Sequence, residues 1–70
     1  MPMSPEKKKF YTFRNWSIYQ VKGMIKMLET MQSKARELDS ADTDDIASDI
    51  SYTLEHLHDL AEELQNLSKD

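Results

Sequence analysis

From Val21 to Leu38 the apolar side chains of this 70-residue chain keep a strict beat. Val21, Met24, Leu28, Met31, Ala35 and Leu38 are separated by 3, 4, 3, 4 and 3 residues. After a polar gap the beat resumes: Ile46, Ile50, Thr53, Leu57, Leu60, Leu64 and Leu67 are spaced 4, 3, 4, 3, 4 and 3. This spacing lines one face of an α-helix and forms the seam along which helices pack. One glycine and two prolines leave little turn material for a sheet. The expected fold class is therefore all-α, with a first helix over about 16–38 and a second over about 44–67.

The link between them, Asp39 to Thr43, is short and polar. Helices joined by so short a connection lie side by side and antiparallel, as a helical hairpin. Asp42 or Thr43 is the expected cap of the second helix, and Asp44 and Asp45 suit the positive end of its dipole. Residues 16–70 thus read as the hairpin, and residues 1–15 as an N-terminal arm or short helix.

Each apolar stripe is wider than a two-helix seam requires. Ile18 and Ile25 widen the first, and Ala47, Leu54 and Ala61 widen the second. A third column suits a helix with more than one neighbour. A chain this short buries only about 60% of the surface its unfolded form exposes. It has no cysteine with which to reinforce itself. The simplest remedy is pairing of two copies into a four-helix bundle. The expected core and dimer seam is Val21, Met24, Ile25, Leu28, Met31 and Leu38 with Ile50, Leu54, Leu57, Leu60 and Leu64.

The segment KKKFYTFRNW, Lys7 to Trp16, joins four aromatics to four cations. Ser4-Pro5-Glu6 before it reads as a helix start. If one helix ran on unbroken, Phe10 and Tyr11 would continue the stripe, while Trp16 and Tyr19 would face outward beside Lys22, Gly23 and Lys26. Asn15 is also a plausible cap, and the sequence favours a break or bend at Arg14–Asn15. Trp, Tyr and cationic side chains are over-represented where proteins grip one another. Phe13, Arg14, Trp16, Tyr19, Lys22 and Lys26 are accordingly the candidate partner-binding residues.

Charge divides the chain. Residues 1–36 carry eight bases and two acids, a balance of +6, and residues 37–70 carry eleven acids and one base, a balance of −10. Lys7, Lys8, Lys9 and Arg14, interleaved with rings, form a candidate nucleic-acid contact. The overall charge of −4 argues against a dedicated nucleic-acid binder. Asp42, Asp44, Asp45, Asp49, Glu55, Asp59, Glu62 and Glu63 form a candidate acidic surface imitating a phosphate backbone. A membrane partner is not expected, because no run nears the roughly 18 apolar residues that span a bilayer. With no cysteine and no leader-like start, the expected location is cytoplasmic.

Catalytic chemistry finds little to stand on. Glu55-x-x-His58 has the spacing of a di-metal bundle ligand pair. Glu55, His58 and Glu62 nonetheless fall opposite the leucine seam, toward water. No nucleophile–base pair and no glycine-rich phosphate loop is present. The sequence points to a non-enzymatic chain without cofactor or metal. It reads as a small helical module that regulates or inhibits a protein partner, of the size of bacterial or phage accessory proteins.

Overall fold

The computed structural model describes residues 3–68; the outer limits of the two expected segments, 1–2 and 69–70, lie outside them. Two helices, α1 (Pro5–Glu37) and α2 (Ala41–Gln65), pack as an antiparallel hairpin. Ser4 caps α1, its hydroxyl accepting from the Lys7 amide at 3.2 Å, and Pro5 takes the first helical position.

The break favoured at Arg14–Asn15 is absent, and the arm is the first part of α1. The Asn15 side-chain oxygen caps nothing. It accepts from Arg14 Nε at 3.3 Å and Nη2 at 3.2 Å. Lys7, Phe10, Tyr11 and Arg14 are half-buried and carry the inward stripe on toward the N-terminus.

The turn is tighter than expected. Leu38 caps the C-terminus of α1, and Asp39 adopts φ 50°, the left-handed conformation that follows many helix ends. Ser40, rather than Asp42 or Thr43, caps α2, its Oγ accepting from the Thr43 amide at 3.2 Å. The acids Asp42 and Asp44 lie in the first turn, where the dipole favours them.

One column of each helix lies in the seam as the spacing suggests, Val21, Leu28 and Ala35 on α1 and Ile50, Leu57 and Leu64 on α2, and the second column differs. Along α1 the inward positions are Ile18, Val21, Ile25, Leu28, Gln32 and Ala35; along α2 they are Ala47, Ile50, Leu54, Leu57, Ala61 and Leu64. Val21, Ile25, Ala61 and Leu64 form the buried centre, with Ile18, Leu54 and Leu57 against it. Met24, Met31, Leu38 and Leu60 are not in the hairpin core but stand exposed beside it. Three apolar columns compete for one neighbour, and a single packed helix covers two. On α2 the column with small residues takes the contact: Ala47 and Ala61 are buried, as is Ala35 on α1, and let the backbones approach closely. Gln32 is tolerated in the seam because its amide donates to the Ala47 carbonyl at 2.9 Å and to Ser51 Oγ at 2.6 Å.

Candidate interaction surfaces

Arg14 marks where α2 runs out. Its Nη1 donates to the Leu67 carbonyl at 3.1 Å, and its guanidinium lies 5.0 Å from the Tyr11 ring centre. Tyr11 in turn meets Phe10 edge-on, centroids 5.2 Å apart. Residues 5–13 of α1 lie N-terminal to this contact, beyond the end of α2 at Gln65.

Two exposed apolar regions follow from this plan. The first is a flank along the hairpin. Phe13, Trp16 and Met24 of α1 line one groove with Leu60 and Leu64 of α2, and Met24, Met27, Leu28 and Met31 line the next with Thr53 and Leu57. Ile46 and Leu67 are also exposed, at the heptad positions of Thr53 and Leu60. The opposite flank is polar, a depression lined by Lys22, His58, Glu62 and Gln65 over Ile25 and Ala61.

The second region lies on the outer side of α1, away from α2. Pro5, Lys8, Lys9, Thr12, Phe13 and Trp16 line a shallow groove on the projecting end, and Tyr19, Gln20, Lys22, Gly23, Met24, Lys26 and Met27 line its continuation. Trp16 is 61% exposed and Tyr19 75%. Phe13 and Trp16 belong to both regions and join them. No acid occurs on α1 between Glu6 and Glu29, so the outer strip is uniformly basic.

Compared with models of known families, with curated proteins and with solved structures, the chain matches none.

Of the partner-binding residues expected from the sequence, Phe13 and Trp16 share one groove, and Tyr19, Lys22 and Lys26 share the next. Arg14 is not among them. It is half-buried and turned inward to Tyr11 and Leu67. Of the residues marked for nucleic acid, Lys8 and Lys9 stand exposed, whereas Lys7 and Arg14 lie on the inward side. Asp42, Asp44, Asp45, Asp49, Glu55, Asp59, Glu62 and Glu63 are all exposed along α2. Among the described residues no three His, Asp or Glu side chains gather as a metal site, and no helix is long and apolar enough to cross a membrane. The sequence reading passed over Gln32, whose only signal is a polar side chain at a heptad position, and Pro5 and Thr12, which line the outer groove.

Proposed function

We propose that this chain is a non-enzymatic helical interaction module. Two hairpins associate through the apolar flank into a four-helix bundle, and the outer strip of α1 captures a protein partner that the module regulates or inhibits. The observation that carries the reading is the exposure of Trp16 and Tyr19 on a well-formed helix, among Lys8, Lys9, Lys22 and Lys26. Large rings that no part of the hairpin covers, flanked by cations, have the composition of a binding hot spot. The test is capture by the tagged chain, comparing wild type with Trp16→Ala/Tyr19→Ala. Loss of a specific bound protein at unchanged helicity supports the reading. Equal capture by both removes it.

A second reading is nucleic-acid binding. It is favoured by Lys8 and Lys9 flanking the groove that holds Phe13 and Trp16, a pairing suited to phosphates and stacked bases. A mobility shift of DNA or RNA at low salt, lost in Lys8→Glu/Lys9→Glu, supports it. No shift from the intact chain eliminates it.

A further inference from the structure

The occupant of the apolar flank and its direction are both legible in the hairpin. We infer that the flank is covered by a second copy of this chain lying antiparallel to the first, with the two turns at opposite ends of the bundle and the projecting end of each α1 clasping the turn of the other. This rests on the self-association proposed above and specifies its arrangement.

The size of the face fits a second copy. The hairpin is a slab of 58 × 14 × 11 Å. Its broad side, 58 by 14 Å, is long and flat enough to lie against the same side of a second copy. Among the described residues of a single hairpin no large side chain is completely enclosed, as expected of a core cut in half. The flanking columns carry no charge: half-buried Phe10 with exposed Met24, Met31 and Leu38 on α1, and Ile46, Thr53, Leu60 and Leu67 on α2.

The direction follows from the ends. The α1 column is centred on Met24, so an antiparallel copy sets Met24 against Met24 and Phe10 against Leu38. Leu38, 69% exposed at the turn, has no cover within its own hairpin. Charge selects the same arrangement. The projecting end holds Lys7, Lys8 and Lys9 with a single acid, Glu6, and at the other end Glu37, Asp39, Asp42, Asp44 and Asp45 outnumber Lys34 and Arg36 of the last turn of α1. Turns at opposite ends bring those lysines to the other copy's aspartates. Turns at the same end bring Leu38 to Leu38 and crowd lysines with lysines and aspartates with aspartates. Opposed charge of this kind fixes register and direction.

The chain has no cysteine, so single thiols report the arrangement. Phe10→Cys and Leu38→Cys are made separately, one with a size tag, then co-refolded at equal amounts and oxidised. The expected product is a Phe10→Cys/Leu38→Cys mixed disulfide as the main cross-linked band, several-fold above either self-linked species. Self-linked Phe10→Cys or Leu38→Cys as the main product places the turns together and overturns the inference, while leaving a bundle. Light scattering on the unmodified chain separates the two failures. A mass near 8.2 kDa at micromolar concentration removes the bundle itself, and twice that mass retains it.

Discussion

Gln32 of α1 donates its side-chain amide to the Ala47 carbonyl of α2, 2.9 Å across the hairpin, and also reaches Ser51 Oγ. A polar side chain inside an apolar seam fixes which residues face one another. Gln32→Ala removes the bond and leaves a gap, and is expected to cost about 1 kcal/mol. Gln32→Leu fills the position and is expected to be neutral or stabilising, with loss of register fidelity. Urea denaturation of both variants, with amide chemical-shift dispersion for register, checks this. A large destabilisation by Gln32→Leu contradicts it.

The start of α2 offers a sharp comparison. Ser40 accepts from the Thr43 amide and Asp42 only adds charge in the first turn. Ser40→Ala should lower stability by about 1 kcal/mol, and Asp42→Ala by a few tenths, about 0.3–0.5 kcal/mol. The reverse order in chemical denaturation would return the cap to Asp42.

Gly23 sits in the middle of α1, and a Cβ added there meets nothing within 4 Å. Gly23→Ala is therefore expected to stabilise the helix by about 0.8–1 kcal/mol, raising the melting temperature by roughly 4–8 °C for a domain of this size. Gly23 also lies between Tyr19 and Lys26 on the outer strip. A variant that melts higher yet captures its partner less well locates a close backbone approach at this turn.

Trp16→Ala with Tyr19→Ala removes two exposed rings and touches no buried centre. Stability should stay within about 0.5 kcal/mol of wild type, while partner capture falls at least tenfold. Circular dichroism and pull-down on the same preparation separate the two effects. A collapse of helicity would show the rings to be structural.

Met31→Asp places a charge on the apolar flank, outside the hairpin core. The wild-type melting temperature should rise with protein concentration, as binding of a second folded copy stabilises by mass action. That dependence should vanish in Met31→Asp. A concentration-independent melt in the wild type would contradict self-association.

Much of the plan was legible in the residues, and the failures share one cause. Spacing of 3 and 4 located the second helix and the later part of the first, which begins at Pro5, eleven residues before the expected 16, and the short polar link gave their antiparallel course. The spacing did not decide between neighbouring columns. Met24/Met31 and Ile18/Ile25 keep equally good time with Val21 and Leu28. On α2 the choice fell to the small side chains Ala47 and Ala61, whose value lies in close approach rather than in hydrophobicity; on α1 Ile18 and Ile25 lie inward in place of Met24 and Met31. Asn15 read as a cap because nothing local says that Arg14 will occupy its oxygen. Arg14 read as a contact residue because its hydrogen bond runs to Leu67, 53 positions away. Trp16 and Tyr19 were placed outward by phase alone, and they are exposed.

Half of the large apolar side chains left in the open along α1 are thioethers: Met24, Met27 and Met31, with Met27 67% exposed. Peroxide converts such sulfurs to polar, chiral sulfoxides. With no thiol in the chain to be consumed first, these sulfurs are its reactive reductants. A sample aged in air would thus be expected to lose its greasy side while both helices persist, and reductive repair by sulfoxide reductases would restore it.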